Sequence, residues 1–493
     1  MANRGGWRLR GGPSGLLFPP AIVLVLAGCT ANVSSISPSQ VAAAGPAFKM
    51  TVLGSGFSSG STVQWNGSSR STTYVSATEL LAQINQTDIA STGSASITVN
   101  NGGVTGGSSS TTSGGTSNAK TIDIVAQSID ATAYQADPTH DGAVTFSSVS
   151  FPGGNGSVWS VGLGAGTPSN ILIAGGKVFL TTGTSSGSQL LALNQTNGAT
   201  AWGPTAIAGL TGGSAGVAYD DGQVFVAEAG FGSSTIYAYN ANTGALAWST
   251  PLGAASPGAP TAADGFVYVV ATGNSTLYAL NETTGSIAWQ QALTLAGGTP
   301  AVTADGVYVT STSTGCSTTD FRPATGEIIW TGSDGSSFCP QTADATPAVA
   351  NQSVYSPDSS GAAIFPAETG SSPGTLSYSP PGAFTSTLAF LSRSPNLDAI
   401  SLSDDTVQWT FNGDNELDVP PILVTAQGGN QYVLTGSALG NVYAINATSG
   451  GSAWTGTVSG KVEQLAAGDG LLVVASESGS GGTLTAYTLS SSP

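Results

Sequence analysis

Charge is scarce in this chain of 493 residues: Asp, Glu, Lys and Arg together make up 8% of it. Basic residues are scarcest, ten Lys and Arg against 27 acids, so the formal net charge is −17. A surface this acidic repels phosphate backbones and anionic lipid, and no nucleic-acid partner is expected. Histidine occurs once, as His140. That excludes metal sites built from several imidazoles and leaves a single residue on which a Ser-His-Asp triad would have to be built. No Gly-rich stretch ends in Gly-Lys-Ser/Thr, so no phosphate-cradling loop is present. Cysteine occurs three times, at Cys29, Cys316 and Cys339, never as an adjacent pair.

Few charges and 69 glycines would suit a disordered chain, but a hydrophobic fraction of 40% does not. The combination points instead to an all-β protein with many tight turns.

The N-terminus has the shape of an export signal. Arg4, Arg8 and Arg10 precede an apolar stretch from Leu16 to Leu26 that is too short to span a bilayer. Without residues 1–28, seven basic residues face the same 27 acids, and the charge falls to −20. Leu26-Ala27-Gly28-Cys29 resembles the lipobox of bacterial lipoproteins. The resemblance implies a signal peptide over 1–28 and lipidation of Cys29, which would become the first mature residue. Thr30 follows, so the inner-membrane retention aspartate of proteobacteria is absent. Cys316 and Cys339 are expected to form a disulfide, as paired cysteines of exported chains commonly do.

Residues 29–126 read as short strands separated by turns. Phe48 to Leu53 runs into Gly54-Ser55-Gly56-Phe57, and Thr62 to Trp65 meets Asn66-Gly67, a strong hairpin signal. Further strands are expected at Ser71–Val75, Glu79–Ile84, Ala95–Asn100 and Lys120–Val125. Ile36-Ser37-Pro38, Val52 to Phe57, Val63 to Gly67, Tyr74 to Leu80 and Ile97-Thr98-Val99 together resemble the IPT/TIG family of immunoglobulin-like sandwiches. The resemblance implies a spacer or interaction module without catalytic residues. Residues 102–118, nearly all Gly, Ser and Thr, are expected to be a loop between its last two strands. Residues 127–143 then form the linker to the rest of the chain.

From residue 144 to 493 the sequence repeats at a spacing near 42 residues, which suits a four-stranded propeller blade. Ile236-Tyr237-Ala238-Tyr239-Asn240 leads through Thr243-Gly244 to Trp248, and Leu277-Tyr278-Ala279-Leu280-Asn281 through Thr284-Gly285 to Trp289. The same pattern ends in Trp202, Trp409 and Trp454, and in a degenerate copy in Trp330. One copy keeps Thr369-Gly370 but has no tryptophan, and the copy leading to Trp409 has Asp404-Asp405 where its turn should fall. The final copy ends the chain, while Trp159 stands alone at the start. If Trp159 completes the final copy, the array closes into a circle of eight. The expected fold is therefore an eight-bladed β-propeller behind an IPT/TIG-like β-sandwich.

The motif Ala-Leu-Asn-x-x-Thr-Gly-x-x-x-Trp resembles the tryptophan-docking repeat of PQQ-type, quinoprotein-like propellers. That family includes quinoprotein dehydrogenases and non-enzymatic propeller lipoproteins of outer-membrane assembly. It usually has Asp where Asn194, Asn240, Asn281 and Asn446 stand. Its alcohol dehydrogenases have a vicinal Cys-Cys disulfide over the quinone, which this chain lacks. Asp414, Glu416 and Asp418 cluster in sequence but read as a loop, and no catalytic or metal-binding residue is expected. The expectation is an exported bacterial protein, anchored to the outer membrane or cell surface through lipid at Cys29. It would be monomeric, without a cofactor, and would bind an envelope protein or glycan. The alternative is a PQQ-dependent oxidoreductase of alcohols or sugars.

Overall fold

The computed structural model describes residues 31–101 and 115–489, apart from 38–39, 43–47, 92, 126–129, 147, 155, 165–166, 185–186, 208–215, 230–233, 254–256, 295–296, 313–315, 336–345, 359–360, 372, 379, 427–428 and 480. The signal sequence, Cys29 and Cys339 lie outside the described residues. Among these residues the regular elements are strands, save one short 3-10 turn at Gln86–Ile89. No described helix is long and apolar enough to cross a membrane.

Two sheets make the N-terminal sandwich. One orders Asn32–Ser37, Phe48–Ser55, Glu79–Ile84 and Thr72–Ser76; the other orders Gln40–Ala42, Lys120–Val125, Gly93–Asn101, Ser61–Trp65 and Ser68–Ser69. Period-2 patterning puts Val63 and Trp65 inward with Ile97, Val99 and Ile122, against Met50, Val52 and Leu80 of the facing sheet. Asn66 and Gly67 both take positive φ, 49° and 81°, as a two-residue hairpin turn requires. Lys120–Val125 pairs with Gly93–Asn101, so the Gly/Ser/Thr-rich run joins two neighbouring strands of one sheet.

Among the described residues eight further sheets follow, here numbered 1 to 8 in chain order. Their innermost strands are Leu172–Ala174, Val217–Asp220, Thr261–Ala263, Ala301–Val302, Ala348–Ala350, Gly382–Phe384, Ile422–Ala426 and Lys461–Gly468. Each lies beside the next, sheets 5 and 6 meeting through the stacked rings of Tyr355 and Phe384, and the eighth returns to the first. This cycle is a β-propeller. Each sheet is apolar on both faces, and a separate buried cluster fills every junction. Sheet 8 takes its outer strand, Trp159–Gly164, from the start of the repeat region, with Trp159 opposite Ala486. The ring is thus closed by an early strand, which removes the open end where fraying would begin.

The tryptophans hold adjacent sheets together. Each lies on the outer strand of one sheet, and its Nε1 donates to a backbone carbonyl in the outer turn of the next. Trp159 reaches Gln195 at 2.7 Å, Trp202 Ala241 at 2.8 Å, Trp248 Glu282 at 2.7 Å, Trp289 Pro323 at 2.8 Å, Trp330 Ala367 at 2.8 Å and Trp409 Ala447 at 3.0 Å. Trp454 reaches Gly154 at 3.1 Å. The turn glycine lies flat on the indole, as Gly285 does on Trp248, at a φ of 70° that other residues rarely adopt. The repeat therefore encodes a contact between copies, and each copy alone carries half of it.

The two irregular copies meet at one junction. In sheet 5, Gly374 stands opposite Ile364, at the position where the other sheets place tryptophan, opposite alanine in all but sheet 4, where Trp330 faces Asp320. In sheet 6, Asp405 occupies the turn position of the docking glycine, with φ 55°. Its carboxylate accepts the Ser377 amide at 3.2 Å and the Ser377 hydroxyl. An Asp–Ser latch thus replaces the Trp–Gly pair.

Candidate functional site

The centre of a propeller is where its innermost strands converge, and here the chain itself lies against those strands. Residues 130–142, within the segment expected as a linker, pass round the inner edge of the ring from sheet to sheet. Ala131 exchanges two backbone hydrogen bonds with Ile173 of sheet 1, at 2.8 and 2.9 Å. The carbonyl of Thr132 accepts from Tyr219 of sheet 2 (2.8 Å), Pro138 from Val302 of sheet 4 (2.7 Å) and Thr139 from Val349 of sheet 5 (2.8 Å). Asp141 accepts from Phe384 of sheet 6 (3.1 Å) and Gly142 from Leu423 of sheet 7 (2.7 Å). Ala143–Phe146 then pairs in parallel with Ile422–Ala426. A segment that meets the inner strands of six sheets in turn lies at the centre of the ring. It satisfies amides on their inner edges that would otherwise be buried without partners.

Local sequence explains the path. Ala131, Ala133 and Ala136 are small enough for the crowded centre, and all three are buried. Asp137 folds the next turn over itself, accepting from the Thr139 amide (2.8 Å) and hydroxyl (2.6 Å). Asp141 does the same for the Ala143 amide at 2.8 Å. Gln135, Ala136 and His140 all have positive φ, 54°, 81° and 58°, a strain that persists only because surrounding bonds over-determine it.

His140 is 1% exposed. Its Nδ1 lies 3.3 Å from the Pro347 carbonyl, its ring meets Tyr134 edge-on, and Nε2 has no hydrogen-bond partner among the described residues. Burial pushes its pKa down to about 4, a shift the Pro347 carbonyl partly opposes, so the ring is neutral at pH 7. Burial also raises Asp137, and raises Asp141 well above the usual carboxylate range, with Asp137 adding to the latter. His140 is thus enclosed, while Asp137 and Asp141 beside it each keep part of their surface exposed.

Among the described residues a small cleft lies between residues 131–136 and sheets 1, 7 and 8, with room for roughly one water. Its polar lining is Tyr134, Gln135, Asn170 and Gln464, and the Asn170 amide is bonded to Val217. PQQ is a rigid tricyclic tricarboxylate that would need cations and, with calcium, acidic oxygens. The cleft offers neither, so the residues present do not fit it.

The other candidate residues lie apart from the axis. Cys316 is buried in sheet 4 on Cys316–Phe321. Asp414 accepts from Ser437 and Asn441 at 2.6 Å each, while Asp418 lies 3.2 Å from Lys461. These carboxylates fix a loop and do not converge. Among the described residues no group of acids, histidines or cysteines is spaced to hold a metal ion.

The sandwich is fixed to the propeller through sheets 4 and 5. Arg322, in a degenerate turn where regular copies carry Asn, meets Glu79 at 3.1 Å, and Lys49 meets Glu368 at 2.8 Å. The Lys49 side chain and backbone also face Asp305, lowering a carboxyl that burial pushes up to about 6. The irregular Arg322 turn is thus the mark of a docked domain.

Fold and axis together define the class: a propeller of tryptophan-docked sheets carrying an immunoglobulin-like domain. The chain belongs to the PQQ-like repeat family described as outer membrane protein assembly factor BamB, whose model matches residues 205–411 and 393–491. Residues 31–114 match the IPT/TIG domain. No curated protein matches the sequence. Among solved structures, BamB from Moraxella catarrhalis is similar at 20% identity and a TM-score of 0.51, over 68% of this chain and 99% of that one. Quinohemoprotein alcohol dehydrogenase ADHIIG from Pseudomonas putida HK5 is similar at 14% and 0.57, over 74% and 81%. The computationally designed Ika8 protein is similar at 14% and 0.51, over 68% and 99%. A factor, an enzyme and a design share the architecture, so these likenesses speak to fold alone.

Proposed function

We propose that this protein is a non-catalytic binding scaffold of the bacterial envelope, exported and held at the membrane by lipid on Cys29. The observation that carries the reading is the course of residues 130–146, which bond to the inner strands of six sheets at the end of the ring's centre, where a propeller enzyme would seat a cofactor. The family description, an outer membrane protein assembly factor, supports an envelope protein as partner over a glycan. The second reading, a PQQ-dependent oxidoreductase, is favoured only by fold likeness. In the test, the full-length protein is expressed in a bacterium, cross-linked and purified from envelopes in detergent. The scaffold reading expects a stoichiometric envelope protein and no dye-linked oxidation of alcohols or sugars after adding PQQ and Ca²⁺. PQQ-dependent turnover overturns it.

A further inference from the structure

In a four-stranded antiparallel sheet the turns after the first and third strands emerge at the same end. At that end sheets 4 and 5 present Asp305 and Glu368, and the sandwich inserts the Lys49 ammonium between them. The neighbouring turns of sheets 2 and 3 present a second set of carboxylates: Asp220, Asp264 and Glu282. The turn of Glu282 is fixed, its amide donating to Gly265 at 2.9 Å and its carbonyl accepting from Trp248. Its carboxyl shares a hydrogen bond with Asp220 and faces Asp264. Glu282 is 4% exposed, yet its Oε1 has no hydrogen-bond partner among the described residues. No ion pair among the described residues reaches any of the three. Their spacing does not suit a metal ion.

We infer that Asp220, Asp264 and Glu282 form a docking site for a lysine or arginine side chain of a protein partner, the counterpart of what Lys49 does one sheet further on. An ammonium or guanidinium donates several hydrogen bonds over a wider span than a metal coordinates, and so matches separated carboxylates. Burial pushes Asp220 to about 6, Asp264 to about 7 and Glu282 to about 8, with Asp221 adding to Asp220, Asp220 to Asp264, and both Asp220 and Asp221 to Glu282, so a cation docked among them would favour their charged forms. The inference rests on the scaffold reading for its protein partner, but it is tested without that partner.

The probe is fluorescent hexalysine, titrated into the full chain at pH 8 in low and in 150 mM salt. The variants are Asp220→Asn/Asp264→Asn/Glu282→Gln and, as a charge-matched control, Asp123→Asn/Asp404→Asn/Glu416→Gln. The cluster variant is expected to bind at least tenfold more weakly, and the control within twofold of wild type. Equal loss in both, or no binding by wild type, overturns the proposal. So does Ca²⁺ binding that wild type shows and the cluster variant lacks, which would make the site a metal site. The cluster variant is expected to melt no lower than wild type at pH 8, and if it fails to fold, Glu282→Gln alone is used under the same criteria. PQQ-dependent turnover would overturn the scaffold reading without altering any of these titrations.

Discussion

The indole of Trp330 in sheet 4 lies flat against Gly370 in sheet 5, and its Nε1 donates to the Ala367 carbonyl three residues earlier, at 2.8 Å. A Cβ on that glycine would be driven into the six-membered ring, and the backbone there holds φ at 57°. Gly370→Ala should therefore destabilise the propeller by about 2 kcal/mol or more, and Trp330→Ala by about 3–5 kcal/mol. Denaturant unfolding checks both. A glycine variant as stable as wild type would contradict the docking account.

The junction between sheets 5 and 6 gives a converse test. Gly374→Trp alone should destabilise, because Asp405 and Ser377 occupy the place where the indole would dock. Combining it with Asp405→Gly should restore most of the loss, with a coupling of roughly 1–2 kcal/mol by double-mutant cycle. Additive losses would mean that the two irregular copies are unrelated.

His140 makes stability depend on pH with a definite sign. Its folded pKa of about 4 lies below the ordinary 6.5, so the unfolded chain binds a proton that the folded chain refuses. The histidine's contribution is intact above about pH 6.5 and is lost as pH falls toward 4, by about 3 kcal/mol in all. Asp137 and Asp141, raised by burial, act in the opposite direction, so the difference between wild type and His140→Gln isolates the histidine. That difference should narrow from pH 7 to pH 4 in chemical denaturation. A pH-independent difference would show that the ring is not buried as described.

Removing Arg322 should leave Glu79 charged and buried without its counter-ion, a cost of about 3 kcal/mol. Glu79 is already raised by burial, against which Arg322 works. Replacing both by leucine should recover most of the loss. Limited proteolysis should release the sandwich sooner in Arg322→Ala; equal rates would mean the domains are only tethered.

Two cysteine expectations remain to be measured. Labelled palmitate should enter the wild type and not Cys29→Ser. Non-reducing peptide mapping should find Cys316 joined to Cys339, a link worth roughly 3 kcal/mol in the loop-entropy account. An unlabelled wild type, or two free thiols, would refute the respective expectation.

Much of the fold was legible in the sequence because the repeat writes each contact twice, a tryptophan in one copy and a glycine in the next. Trp159, unpaired in sequence, announced the closure that places it opposite Ala486. The axial path of residues 130–142 was not legible, since its hydrogen bonds are backbone bonds to six distant strands and leave no side-chain pattern. The one available signal was small size: Ala131-Thr132-Ala133 resembles the alanine-rich inner strands such as Thr261–Ala263. The carboxylates of sheets 2 and 3 were hidden in ordinary turns, Asp220-Asp221-Gly222, Asp264-Gly265 and Asn281 to Gly285, and only the ring brings Asp220 to Glu282.

The central proposal is that residues 130–146, bonded to the inner strands of six sheets, leave no place for a quinone at the centre of the ring. Titrating the purified chain with PQQ and Ca²⁺ by calorimetry tests it most directly. The account predicts no saturable heat and no oxidation of alcohols or sugars with an artificial dye. Stoichiometric, saturable PQQ binding accompanied by dye-linked oxidation would contradict it.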